Sequence, residues 1–228
     1  MKITYYGHSC LLVENGEHRV IIDPFLTANP NSGGTTPDEI KVNAVILTHG
    51  HGDHFGDTLQ IAQMNDCPVI ATFELAQYCQ SKGAKTHEMN LGGKHDFGGF
   101  SVKLTQAFHS SSVFDGKQFI YAGMPAGVLL SMGGKTLYHA GDTALFGDMK
   151  LIGERNRIDI AALPVGDNYT MGPEDAVTAA QWLNVKQVIP IHYNTFPVIE
   201  QDNKRLKSLF GDADIRCHTL QSRESLEI

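Results

Sequence analysis

Ala44-Val45-Ile46-Leu47-Thr48-His49-Gly50-His51-Gly52-Asp53-His54 is the stretch on which the reading of this chain turns. Its first four residues are a continuous apolar run, the pattern of a strand covered on both faces. The seven that follow hold three imidazoles and a carboxylate. In an extended exit from the strand, side chains two apart share a face, so His49 and His51 can grip one metal ion. Asp53 and His54 come one turn later, where a helix is expected to begin, and can grip a second ion beside the first. Gly50 and Gly52 are expected to supply the tight backbone of that turn. Imidazolium ions packed this closely would repel one another, and a bound cation in place of the protons removes that cost.

Upstream, apolar and polar residues alternate through Lys2–Tyr6, Cys10–Glu14 and Arg19–Asp23, with Gly7-His8-Ser9 and Asn15-Gly16 between them. Three antiparallel strands are expected there. A Pro/Gly/Asn-rich loop, Phe25 to Asp38, is long enough to suggest a functional flap. Downstream, helices are expected near Thr58–Met64 and Glu74–Ser81 around a strand at Val69–Thr72. Further strands are read at Phe100–Ala107, Ala126–Met132 and Lys135–His139, the last two joined by a Gly133-Gly134 turn. The end alternates strand and helix: Ile158–Pro164, Pro173–Leu183, Lys186–Ile191, Asn203–Phe210 and Ile215–Leu220. Two halves, each passing from strand-rich to β/α sequence, predict an α/β fold of two sheets packed face to face with helices outside. No composition shift marks a linker, so residues 1–228 are read as one domain.

Four ligands cannot fill two metal sites. Three further residues lie at the ends of expected strands: His109, Asp142 in His139-Ala140-Gly141-Asp142-Thr143, and His192. Singly, each has an ordinary alternative as a core or surface residue. Together, at one edge of a sheet, they would complete a rigid cage. Two divalent ions sharing a water would lower its pKa toward about 7 and make a hydroxide nucleophile without a Ser or Cys. Asp53 or Asp142 would orient it and accept its proton. The His-rich set suits zinc, with manganese or nickel as alternatives, each acting as a Lewis acid. His8, not needed for metal, is a candidate to bind substrate or donate a proton to the leaving group. Thr170 and Asn194 are candidates to line the pocket, and Asp23 to hold a ligand histidine.

The order H-x-H-x-D-H, then His, Asp and His, resembles the metallo-β-lactamase superfamily of dinuclear hydrolases over the whole chain. Gly7-His8-Ser9, Ile22-Asp23-Pro24, His109-Ser110-Ser111, Tyr138 to Thr143, Tyr169 to Pro173 and Ile191-His192-Tyr193 resemble a small branch called metal-dependent hydrolases. That branch is itself similar to bacterial L-ascorbate-6-phosphate lactonases. The resemblance implies an αββα sandwich. It also implies that His49, His51 and His109 bind one metal, that Asp53, His54 and His192 bind the other, and that Asp142 bridges them. One departure is Gly166-Asp167-Asn168, where a second glycine is expected at 167; Asp167 would weigh against anionic substrates.

Composition narrows the function classes. The 228 residues carry a net charge of −7, with 42% hydrophobic and 19% charged residues, as an ordinary globular domain does. There is no basic run and no aromatic-basic interleaving, so a small-molecule substrate is expected over nucleic acid. No apolar run approaches the ~18 residues of a membrane span, and no signal peptide is read, which makes cytoplasm the default location. Cys10, Cys67, Cys79 and Cys217 form no C-x-x-C pair and read as reduced thiols. The leading expectation is hydrolysis of a small phosphodiester or phosphorylated lactone. An amide or β-lactam-type hydrolase and a non-catalytic metal-binding sensing module are the alternatives. A homo-oligomer is open, because the resembling lactonases assemble.

Overall fold

The structure, a computed structural model, describes residues 1–228. The first half contains strands β1 (Lys2–Tyr5), β2 (Leu11–Asn15), β3 (His18–Ile22), β4 (Ala44–Ile46), β5 (Val69–Thr72), β6 (Thr86–Met89) and β7 (Lys94–Asp96). Its helices are α1 (Gly52–Phe55), α2 (Thr58–Met64) and α3 (Phe73–Ser81). The second half contains β8 (Phe100–Gln106), β9 (Ser112–Phe114), β10 (Phe119–Tyr121), β11 (Ala126–Met132), β12 (Lys135–His139), β13 (Ile160–Pro164), β14 (Gln187–Ile191), β15 (Arg216–Cys217) and β16 (Ser225–Glu227). Its helices are α4 (Met149–Arg155), α5 (Pro173–Trp182) and α6 (Asn203–Asp212). No helix is long and apolar enough to cross a membrane.

The strands make two seven-stranded sheets, β16-β1-β2-β3-β4-β5-β6 and β15-β14-β13-β12-β11-β8-β7. Period-two alternation divides each strand between layers. In β2, Leu11 and Val13 enter a core shared with Val102, Leu104, Val128 and Leu130 of the opposite sheet. Leu12 points the other way and packs with Ile61, Leu75 and Ala76 of α2 and α3. On the outer face of the second sheet, Leu163 and Val188 pack with Ala176 and Ala180 of α5 and with Leu206 and Phe210 of α6. The layers therefore run helix, sheet, sheet, helix, the expected sandwich.

Strand direction decides where the site lies. β1 and β3 both run antiparallel to β2, and β4 runs parallel to β3, so these three strands end at the same edge. In the other sheet β8 and β12 are both antiparallel to β11, and β13 and β14 follow β12 in parallel. Those four also share an edge. His8, Asp23, His49, His109, Asp142 and His192 all come just after one of these strand ends.

Several expectations are corrected. The strand expected at Ile215–Leu220 shrinks to Arg216–Cys217, which pairs with Gln187 and Val188 of β14. The chain then turns and adds β16 to the first sheet, against β1. β6, β7, the β9–β10 ribbon and α4 were not expected. The 25–38 loop is fastened: Asp57 accepts the Leu26 and Thr27 N–H groups at 2.9 Å, and the buried Asn29 side chain donates to Phe25 O at 3.1 Å.

Candidate metal centre

The chain leaves β4 with a bend at Thr48, is extended at His51 (φ −64°, ψ 149°), and then makes the single turn of α1. Only one of the two expected glycine requirements holds. A Cβ at Gly50 would lie 2.9 Å from both Val113 Cγ2 and Ala122 Cβ, so the β9–β10 ribbon can press on the backbone between two ligands. A Cβ at Gly52 would meet nothing. Four non-glycine residues around the site sit in the left-handed region: His8 (φ 54°), Asp23 (φ 48°), His192 (φ 54°) and Asn194 (φ 58°). Such strain clusters at sites that the surrounding structure over-determines.

The side chains converge as two groups. The ligand atoms of His49, His51 and His109 lie within 4.8 Å of one another, and so do those of His8, Asp53, His54 and His192. Asp142 stands between them. Its Oδ2 is 3.0 Å from His192 Nε2, 3.5 Å from His109 Nε2 and 3.8 Å from His49 Nε2, and its Oδ1 is 3.2 Å from His54 Nε2. His49 Nε2 and His51 Nδ1 are 3.1 Å apart. A tetrahedral ion with bonds of about 2.0–2.1 Å would set neighbouring ligand nitrogens about 3.3 Å apart.

A surrounding shell aims the rings. Thr48 Oγ1 donates to Asp23 Oδ2 at 2.6 Å and therefore accepts from His49 Nδ1–H at 2.9 Å. His54 Nδ1–H donates to the same Asp23 oxygen at 2.7 Å. Both histidines are thus held with Nε2 turned inward, the usual arrangement of a ligand imidazole backed by an acceptor. His139 donates from Nε2 to Ser9 O at 2.9 Å and accepts Gly141 N–H on Nδ1 at 3.1 Å. That buried ring ties the turn carrying His8 to the loop carrying Asp142. Thr48 was not anticipated, although a hydroxyl directly before the first ligand was visible. Ser111 Oγ, which accepts Gly50 N–H at 3.2 Å, lies in the His109-Ser110-Ser111 motif.

The electrostatics favour a cation. Burial alone would suppress charge on His54, yet Asp142 and Asp23 outweigh it and push the ring's pKa well above the usual histidine range. Burial would likewise raise Asp142, but His54 and His192 hold it well below the usual carboxylate range. His54 Nε2 and Asp142 Oδ1 are buried without a hydrogen-bond partner: they lie 3.2 Å apart but are not aligned with each other. Buried polar atoms without partners are costly, and a cation between them resolves that cost. Five imidazoles and two carboxylates, with no thiol among them, fit a divalent ion of the zinc type.

The remaining candidates fall differently. His8 is fully buried; its Nε2–H donates to Asp53 Oδ2 at 3.1 Å, and Nδ1 faces Thr195 Oγ1 at 2.9 Å. Burial lowers its pKa to about 4, against the opposing pull of Asp53, so the ring is neutral near pH 7. It is hydrogen-bonded to the more exposed Asp53 carboxylate. Thr170 turns its hydroxyl onto Met171 O at 3.2 Å. Asn194 spends both ends of its amide on Gln201, at 3.1 and 2.7 Å, and lines a separate cavity with Tyr5, Asn31 and Tyr193. Each is thus engaged within its own loop. Asp167 is exposed, left-handed (φ 62°) as the expected glycine would be, and accepts the Asn168 N–H at 2.9 Å.

A helix–sheet–sheet–helix sandwich with a His/Asp cage where strand ends of the two sheets meet is the architecture of the metallo-β-lactamase-type hydrolases. Residues 2–192 match the family model described as a beta-lactamase superfamily domain. A UPF0173 metal-dependent hydrolase of Bacillus velezensis is 60% identical over 204 residues, 89% of each chain. One from a Geobacillus species is 54% identical over 232 residues, covering 100% of both. Among solved structures, a metallo hydrolase from the archaeon Ignicoccus hospitalis superposes with a TM-score of 0.90 at 35% identity, covering 100% of this chain and 98% of that one. This chain belongs to the beta-lactamase superfamily and, within it, to the UPF0173 metal-dependent hydrolases.

Proposed function

We propose that the chain is a dinuclear hydrolase of a small phosphodiester or phosphorylated lactone. In this reading His49, His51 and His109 hold one divalent ion, Asp53, His54 and His192 hold the other, and Asp142 bridges them. The observation that carries it is Asp142, whose two oxygens lie 3.0–3.8 Å from nitrogens of both histidine groups. Zinc is the ion the donor set suits first, with manganese or nickel as alternatives. When bound, such ions supply Lewis acidity and bring the pKa of water toward neutrality.

The chain's own groups take the remaining roles. Asp53 orients the attacking water: its carboxylate is 29% exposed, and the Nε2–H of His8 fixes its direction and, against burial, helps hold it ionised, well below the usual carboxylate range. His8 is a positioning residue. Thr48, Asp23 and His139 keep the rings and the Asp142 loop rigid, so little reorganisation is needed during the reaction. The largest charge effects on His49, His51, His109 and Asp142 come from other histidines and aspartates. The ion pairs of these side chains are all between His and Asp, with no Lys or Arg. That supports the singly charged phosphodiester as the first of these two substrates, because a phosphorylated lactone carries a dianionic phosphate that would have no such cation to cradle it. It also supports a second reading, an uncharged lactone or amide.

The test is an activity panel on metal-loaded protein. Two ions per chain by elemental analysis, with chelator-sensitive hydrolysis of bis-p-nitrophenyl phosphate that Asp142→Ala abolishes, is the expected result. Two ions with turnover confined to lactones or amides would select the second reading. Two ions with no turnover on any of them would leave the metal-binding sensing module.

A further inference from the structure

The β9–β10 ribbon has one face that the rest of the molecule leaves uncovered. Its strands pair only with each other, with Phe119 opposite Phe114 and Tyr121 opposite Ser112. Alternation sends Val113 inward, where it is buried against Gly50. It sends Phe114, Phe119 and Tyr121 outward, where they are 57%, 75% and 68% exposed. The Phe114 and Phe119 rings are 5.1 Å apart. The apolar surface continues to Met124 and Phe73, each about half exposed. Gly123, just before Met124, lies against the Thr72 and Glu74 side chains that flank Phe73.

We infer that this ribbon is a self-association surface, covered in solution by the same ribbon of a second copy of the chain. Each aromatic side chain can bury about 150–250 Å², so the patch presents on the order of 500 Å² of apolar surface. Monomers rarely expose more than a few hundred Å² in one patch. A standard interface takes about 800 Å² from each partner, so the patch is the right size for its apolar centre. The ribbon's only charges, Asp115 and Lys117 at its turn, cancel, and nothing in it attracts a polyanion or an anionic lipid surface.

The backbone points to the same occupant. Asp115 N bonds Gln118 O and Ala122 N bonds Ser111 O, so residues 118, 120 and 122 face β9 by alternation. The N–H and C=O groups of Phe119 and Tyr121 therefore line a free edge. Such an edge is a template for another strand. A two-fold contact between two copies closes on itself, and packing the aromatic faces onto each other is what buries them. An isolated two-stranded ribbon is marginally stable, and a second copy would cover it.

Light scattering on the intact metal-loaded protein tests the inference. The wild type should have a multiple of the single-chain mass across the micromolar range, and Phe119→Lys should return it to the single-chain mass with its far-UV spectrum kept. A single-chain mass for the wild type overturns the proposal, and so does an undiminished multiple in Phe119→Lys. If Phe119→Lys fails to fold, Tyr121→Ser takes its place. Hydrogen exchange on the wild type needs no variant: protection at residues 112–124 should rise with protein concentration, and concentration-independent protection there overturns the proposal. A wild type that is a single chain but binds neutral lipid vesicles through these residues would make the face a lipid contact instead.

Discussion

Asp23 Oδ2 and His54 Nδ1 meet at 2.7 Å, and neither side chain is exposed to solvent. The same carboxylate accepts the Thr48 hydroxyl and the Thr48 N–H, so one buried aspartate aims His54 directly and His49 through Thr48. Asp23→Asn removes the charge that makes His54 a good ligand. It should weaken divalent-ion affinity by roughly 10–100-fold, read by competition with a chromophoric chelator. Unaltered affinity would make Asp23 a mere strand-end residue.

His8 is expected to act on turnover through Asp53. His8→Ala should lower kcat by about 10–100-fold with KM and metal content near wild type. His8→Gln, whose amide can still donate to Asp53, should recover part of the loss. Equal damage from both variants would show that the buried ring matters only for packing.

Gly50 and Gly52 should respond oppositely to a methyl group. Gly50→Ala drives its Cβ against Val113 and Ala122, and overpacking of this kind costs about 1–3 kcal/mol. Gly52→Ala meets open space in the first turn of α1 and should be neutral or stabilising by about 0.4–1 kcal/mol. Urea denaturation of the two variants checks the contrast, and equal losses would refute it.

Alkaline pH should erode stability through the buried thiols. Burial pushes Cys67 up to about 11, and Cys79 and Cys217 up to about 12. Unfolded thiols ionise near about 8.5. Above that pH the unfolded state binds fewer protons than the folded one, so stability present below it declines as pH climbs toward the folded values. Denaturation at pH 7.5 and pH 10 should show a smaller fall for Cys79→Ala than for the wild type. A thiol reagent at neutral pH should react slowly until the protein is unfolded.

What was legible in the sequence was what short-range pattern dictates. β11 and β12 are found as expected because period-two alternation and the Gly133-Gly134 turn both act locally. α2 and β5 are also found as expected. Metal candidates were legible because ligands follow strand ends, and strand ends are visible. β6, with one residue exposed and none buried, and β7, exposed throughout, carry little apolar signal and owe their form to a neighbouring strand. β16 pairs with a strand at the other end of the chain. The direction of a side chain after a strand end was equally hidden: Asn194 turns to Gln201 and His8 turns behind Asp53, each decided by a hydrogen bond from a distant segment or a left-handed backbone.

The cage draws on both halves of the chain. His49, His51, Asp53 and His54 leave the first sheet, whereas His109, Asp142 and His192 leave the second. In the proposed assignment each ion takes ligands from both sheets. During synthesis the last ligand leaves the ribosome only with residue 192, after both sheets have nearly all their strands. In that assignment the site is complete only once the two sheets have docked, and bound ions would tie the seam between them.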